Sequence, residues 1–162
     1  MSAVRTRCLI LACGNTLRSD DGVGPRLAEW AAEWFRNEPE VRVVSRLQWT
    51  PELAEDIARA ESVLFIDCSQ DSAPGLIHMA PVEPGAKDPV LATHRLGAAE
   101  LLALSRELYA YLPRNAFLLT IGAGSTELSE ELTAPVKASL PRACDLLKKT
   151  VLNLLAAELR TE

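Results

Sequence analysis

The sequence predicts an α/β fold, a three-layer sandwich in which helices cover both faces of a twisted, mostly parallel five-stranded sheet. Apolar runs of strand length alternate along the chain with longer segments of helical periodicity. The 162 residues are 48% hydrophobic and 24% charged, as expected for a single globular domain over residues 1–162. A chain of this length buries enough core to fold without disulfides or a structural metal. We therefore expect any bound metal to serve function.

The first half of the chain contains three predicted strands and two predicted helices. Residues 7–13 are predicted to form a strand, because the unbroken apolar run over residues 8–13 is typical of a buried strand. Apolar residues at helical spacing predict a helix over 23–35, and alternation predicts a second strand over 41–47. A short helix is expected at 51–60. The apolar run 62–67 is the third strand and ends on a carboxylate.

The second half is predicted to contain an edge strand at 76–82, an exposed loop at 83–93, a helix at 96–111, a strand at 116–122 and a helix at 133–160. Pro74 and Pro81 bracket the strand at 76–82, and prolines favour the edge of a sheet over its centre. Thr133 is expected to be the N-cap of the last helix. Pro141 is expected to bend that helix, because proline donates no hydrogen bond to the helical ladder.

Charge and cysteine content exclude several classes of function. The 22 acidic residues outnumber 17 basic ones, for a net charge of -5, which argues against a nucleic-acid-binding surface. No apolar run has the length of a membrane span, and no secretory leader is recognisable. The four cysteines are scattered, without Cys-x-x-Cys spacing. We therefore expect a cytoplasmic protein without membrane or nucleic-acid partners.

Candidate functional residues follow the predicted strands, because ligands of open α/β sheets bind beyond the carboxyl ends of the strands. Asp20 and Asp21 come after the first strand, Asp67 ends the third, and His94 precedes a helix. Two carboxylates and an imidazole suit an incomplete divalent-metal site with positions left for substrate or water. The prediction is that Asp21, Asp67 and His94 form this site and that Asp20 caps the helix that follows it.

Each of these residues also has a structural interpretation. Asp67 could bond backbone groups in a turn, and a lone histidine such as His94 is more often a helix-start or surface residue. Cys13 and Cys68 flank the same crevice and could bind a soft metal, but small buried residues are the favoured interpretation. A dinucleotide site is disfavoured because Gly14 is isolated, whereas a phosphate-binding loop needs a Gly-x-Gly-x-x-Gly run.

Three segments together resemble the nickel-iron hydrogenase maturation endopeptidases. They are GNTLRSDDGVG at 14–24, Ile-Asp at 66–67 and HRLG at 94–97, and the long first motif is the specific one. The resemblance implies a twisted, mostly parallel sheet between helices. After the last strand the family carries a Gly-Ile-Gln-Pro-like stretch, whereas this chain reads IGAGSTE at 121–127. That divergence bears on which hydrogenase is the partner.

The resemblance also implies the activity. It implies a cytoplasmic endopeptidase, often classed as aspartic-type, that removes the C-terminal extension of a hydrogenase large-subunit precursor after nickel insertion. Asp21, Asp67 and His94 would be its metal-contacting and catalytic residues, and the precursor would supply the nickel. A resident zinc or other divalent ion is the neighbouring alternative. A non-catalytic, chaperone-like metal-binding partner of a metalloenzyme is the alternative of another class.

Overall fold

The computed structural model describes residues 5–85 and 96–157. Its five strands are β1 (Thr6–Cys13), β2 (Val41–Arg46), β3 (Ala60–Ser69), β4 (Ile77–Pro81) and β5 (Asn115–Gly122). Its α-helices are α1 (Val23–Trp34), α2 (Leu53–Ala58), α3 (Ala98–Tyr109) and α4 (Ala134–Ala157), and a short 3-10 helix (Ser19–Gly22) precedes α1. The predicted fold class is confirmed, and the described elements match the predicted ones with ends that differ by a few residues.

The five strands form one sheet in the order β2-β1-β3-β5-β4. All neighbouring pairs are parallel except β4 and β5, which run antiparallel. The prediction of an edge position for the proline-flanked strand is confirmed, with Pro81 opposite Phe117 at the end of the ladder. The expected loop after this strand falls partly outside the described residues; residues 83–85 have no regular secondary structure.

Two helices cover each face of the sheet. Along β3, Leu64 and Ile66 pack into the core under α1 and α4, whereas Val63 and Phe65 pack into the core under α2 and α3. Side chains alternate between the faces of a strand, so an apolar run like that of β3 is buried on both sides. The sheet thus separates two cores, and each strand can present side chains to both.

The chain leaves the neighbouring strands β1 and β3 toward opposite faces. After β1 it enters the 3-10 helix and α1 on one face, and after β3 and β4 it reaches α3 on the other. Such a divergence opens a crevice at the carboxyl ends of the two strands, where open α/β sheets bind ligands. Within residues 5–85 and 96–157, no helix combines the length and apolar character needed to cross a membrane.

Candidate functional site

The crevice between β1 and β3 contains three side chains of metal-ligand type. Asp21 lies in the 3-10 helix after β1, and Asp67 and Cys68 lie at the carboxyl end of β3. One ligand atom from each lies within 4.8 Å of the others. The sequence prediction that Asp21 and Asp67 come together is thus supported by their geometry. His94, the third predicted member, lies outside the described residues.

Asp21 is held by short contacts on both carboxylate oxygens. Its Oδ2 accepts a hydrogen bond from the Asn15 backbone N–H at 2.8 Å, and its Oδ1 accepts one from the Cys68 thiol at 3.3 Å. The residue is only 6% exposed. The tight return of the chain after β1 requires Gly14, whose φ is +147° and where a Cβ would lie 1.9 Å from the Asp21 carbonyl oxygen. Backbone packing therefore fixes where this carboxylate points.

Asp20 supports the neighbouring loops and is fully buried. Its Oδ2 accepts hydrogen bonds from the N–H groups of Gly124 and Ser125 at 2.7 and 3.1 Å and from the Thr133 hydroxyl at 2.6 Å. Its Oδ1 accepts the Thr133 backbone N–H at 2.8 Å. Burial alone raises the pKa of the Asp20 carboxyl, but these hydrogen bonds together hold that pKa below its ordinary value.

The predicted capping role of Asp20 is therefore corrected. No side chain caps the 3-10 helix or α1, and the Asp20 carboxylate instead binds the residue before α4. Thr133 occupies the predicted N-cap position, since its carbonyl accepts the Lys137 N–H, but its hydroxyl donates to Asp20. A carboxylate at this place satisfies the free N–H at the start of the distant helix. Asp20 joins the β1, β5 and α4 segments and is kept out of the crevice.

Asp67 projects from the end of β3 on the side of α2 and α3. Its Oδ1 accepts the Cys68 backbone N–H at 2.8 Å. It lines a cavity of about 80 Å³ together with Cys13, Leu47, Trp49 and Leu96. This cavity is mostly apolar, so Asp67 is a charged group beside a small hydrophobic recess.

Cys68 projects to the opposite side and was not singled out as a ligand by the sequence. It continues the series of Leu64 and Ile66 on the face of α1, packs partly against that core, and is only half-buried. Strand periodicity predicts its position, because alternate residues of β3 point to the same face of the sheet. Residue 68 therefore points to the face covered by α1, the helix that follows Asp21. The expectation that Cys68 is merely a small core residue is corrected by its contact with Asp21.

The other cysteines differ from Cys68. Cys8 is fully buried in β1, and burial raises its pKa to about 12, as expected for a core thiol. Burial also raises the pKa of Cys144, with the Asp145 charge as a second cause. Cys13 is half-buried and lines the cavity beside Asp67.

The donor set decides what the site can do chemically. Two carboxylates and a thiol suit a divalent ion between hard and soft, such as nickel or zinc, and leave further coordination positions to other molecules. Asp21 and Asp67 reach this point from opposite faces of the sheet. An ion or polarised group at the end of β3 would therefore be contacted by Asp21 from one face of the sheet and by Asp67 from the other.

The chain is similar in sequence and in fold to known proteins of hydrogenase maturation. No protein-family model matches the chain. The chain is 30% identical over 152 residues to the hydrogenase expression/formation protein HupM of Azotobacter chroococcum mcd 1, covering 88% of this chain and 70% of that protein. The NiFe hydrogenase maturation protease HybD from Thermococcus kodakarensis matches with a TM-score of 0.65 and 29% identity, over 89% of this chain and 98% of that one. The hydrogenase maturating endopeptidase HybD from E. coli shares the fold, with a TM-score of 0.71, 22% identity and coverage of 91% and 93%.

Proposed function

Because the chain belongs to the nickel-iron hydrogenase maturation endopeptidases, we propose that it removes the C-terminal extension of a hydrogenase large-subunit precursor after nickel insertion. The observation that carries the proposal is the convergence of Asp21 and Asp67 on one point at the end of β3. His94 completes the proposed set, as the sequence predicts. The precursor is the proposed partner, and the four scattered cysteines, without Cys-x-x-Cys spacing, support a reducing, cytoplasmic location.

The nickel ion enters this proposal as part of the substrate. Carboxylates alone bind nickel weakly, whereas a nickel ion already held by precursor thiolates needs only to complete its shell. Asp21 suits this task because the Asn15 N–H and the Cys68 thiol fix its two oxygens without a cation. Precursor that lacks nickel would offer these carboxylates nothing to bind. Metal contact then orients the scissile bond, and a correctly placed bond is the main gain from such a template.

The proposed chemistry is hydrolysis by an attacking water. One carboxylate of the Asp21 and Asp67 pair orients the water and accepts its proton as the carbonyl carbon is attacked. That proton, or another from His94, then passes to the leaving amine. Asp67 is the better placed base, because it borders the cavity with Trp49 and Leu96 that adjoins the site.

An intact-mass assay of a purified large-subunit precursor tests the proposal. We expect the nickel-loaded precursor to shorten by the mass of its extension, and the nickel-free precursor to stay intact. Asp67→Asn should abolish shortening, whereas Glu33→Gln, which removes an exposed carboxylate paired with Arg36, should not. Binding without any change of mass would instead identify a chaperone-like partner. Equal cleavage of both precursors, lost on chelation, would identify a metallopeptidase with a resident ion.

A further inference from the structure

The Cys68 thiol contacts the site, and the proposed hydrolysis uses it only as a hydrogen-bond donor to Asp21. Its Sγ lies 3.3 Å from Asp21 Oδ1, and its backbone N–H donates to Asp67 Oδ1 at 2.8 Å. Cys68 thus touches one carboxylate with its side chain and the other with its backbone. A residue in this position influences any ion that the two carboxylates bind.

The spacing of these atoms fits a shared ion. Metal–sulfur and metal–oxygen bonds of about 2.3 and 2.1 Å place sulfur and oxygen about 3.6 Å apart on a tetrahedral ion. The observed separation of 3.3 Å between Cys68 Sγ and Asp21 Oδ1 is close to that value. Asp67 contributes a ligand atom within 4.8 Å of the other two. An ion between sulfur and oxygen would replace the hydrogen that the thiol now donates.

We propose that Cys68 is a ligand of the metal ion that Asp21 and Asp67 engage, so that this chain offers one thiolate beside two carboxylates. The inference rests on the proposed function only in assuming that a metal ion enters this site. Its consequence is a preference for thiophilic divalent ions such as zinc, cobalt and nickel over hard ions such as magnesium. The protein without precursor should therefore bind such ions measurably.

Access from solvent supports a ligand role over a purely packing one. Cys68 lines an open cavity of about 370 Å³ together with Ser69, Gln70, Asp71 and Thr120. Cys8, by contrast, is fully enclosed in β1. A half-buried Cys68 is accessible to a small ion, while Asp67 borders the recess on the other face.

Cobalt(II) titration of the full chain without precursor tests the inference. The wild type should develop a near-ultraviolet thiolate-to-cobalt charge-transfer band that saturates at one ion per chain. Cys68→Ser should abolish this band and weaken cobalt binding at least about tenfold. Cys13→Ser is the matched control, because Cys13 lines the cavity beside Asp67 and its loss should leave the band intact. Absence of the band in the wild type, or its persistence in Cys68→Ser, would overturn the inference.

A second measurement uses the wild type and so does not depend on a variant folding. Cadmium should protect Cys68 from alkylation by iodoacetamide, as read by peptide mass mapping, while Cys13 and Cys144 react at unchanged rates. Protection of Cys13 alone, or equal alkylation of Cys68 with and without cadmium, would contradict the proposal. Cys68→Asp should bind cobalt again without the charge-transfer band, as expected for a lost sulfur ligand and not for a packing defect.

These readouts are separate from peptidase activity. Cleavage of nickel-loaded precursor by a chain that shows neither the cobalt band nor protection would refute the ligand role and leave the proposed function standing. A cobalt band in a chain that never shortens the precursor would refute the proposed function and leave the ligand role standing. The two proposals therefore fail independently.

Discussion

Replacing Asp20 with asparagine should destabilise the fold by about 3 kcal/mol, whereas the same change at Asp21 should cost less than about 1 kcal/mol. The two residues are adjacent and nearly equally buried, at 0 and 6% exposure. They differ in the groups that they bind. Asp20 accepts four hydrogen bonds from the β5 and α4 segments, and Asp21 accepts one backbone N–H and one thiol.

The magnitude follows from what an amide can replace. An asparagine at 20 best places its oxygen at the Oδ2 position, which keeps the bonds from Gly124, Ser125 and the Thr133 hydroxyl. Its NH2 group then faces the Thr133 N–H, so both donors lack an acceptor, and an unpaired buried donor costs about 1–3 kcal/mol. The three remaining bonds lose their charge assistance, at about 0.5 kcal/mol each. In Asp21→Asn, the amide oxygen still accepts the hydrogen bond from the Asn15 N–H, and the NH2 group faces the Cys68 sulfur.

Urea unfolding at neutral pH measures the difference, with extrapolation to water. For a chain of this size, about 3 kcal/mol corresponds to a fall in melting temperature of roughly 6–12 °C. Far-ultraviolet circular dichroism of Asp20→Asn should still show the native helix content. If Asp21→Asn were as destabilised as Asp20→Asn, the division of roles between the two carboxylates would be wrong.

The pH dependence of this difference has a definite sign. Hydrogen bonds hold the folded-state pKa of Asp20 below its ordinary value, so the unfolded chain binds the proton more readily. The stabilisation from the charged carboxylate is fully present above the ordinary pKa of about 3.9 and is lost as pH falls through the lowered value. The gap between wild type and Asp20→Asn should thus stay constant down to about pH 5 and narrow below about pH 4.

Four further substitutions test other parts of the structure. Asp67→Asn and His94→Ala should each abolish precursor shortening in the intact-mass assay and change the urea midpoint little, because asparagine still accepts the N–H after Asp67; unfolded variants would favour structural roles. Gly14→Ala should prevent folding or cost about 3 kcal/mol or more in urea unfolding, since the new Cβ meets the Asp21 carbonyl oxygen at 1.9 Å. Glu61→Gln should cost about 2 kcal/mol, because its side chain is 7% exposed and has two arginines at 2.7 and 3.8 Å; an unchanged urea midpoint would contradict this.

Sequence patterns predicted the sheet and the proximity of Asp21 and Asp67, because both follow from the periodicity and the order of the strands. Buried runs and helical spacing identify strands and helices, and the ends of parallel strands meet at one edge of the sheet. That rule predicts from the sequence alone that Asp21 and Asp67 lie close together. The segment around His94, at residues 86–95, lies outside the described part, so its place in the site stays a prediction.

Long-range pairing explains what the sequence could not predict. Local rules assign an acidic residue before a helix to that helix, and so they assigned Asp20 to α1. Its actual partners, Gly124, Ser125 and Thr133, are more than 100 positions away along the chain. For Cys68 the sequence favoured a core residue over a soft-metal ligand, because cysteine is usually buried and apolar. Its contact with Asp21 depends on the face of β3 that it shares with Ile66.

The contacts of Asp20 also explain how residues 121–127 can depart from the family pattern while the site keeps its shape. This segment holds the site through backbone N–H groups at Gly124 and Ser125, which any residue except proline can supply. A side chain is excluded at Gly122, where a Cβ would lie 1.9 Å from the Ala73 carbonyl oxygen, and is crowded at Gly124, where it would lie 2.8 Å from the Thr133 hydroxyl oxygen. Glu127 is exposed, and its backbone N–H is held by the Ser125 hydroxyl. Exposed side chains such as Glu127 can therefore vary without loss of these hydrogen bonds, and we expect them to influence which hydrogenase precursor the chain accepts.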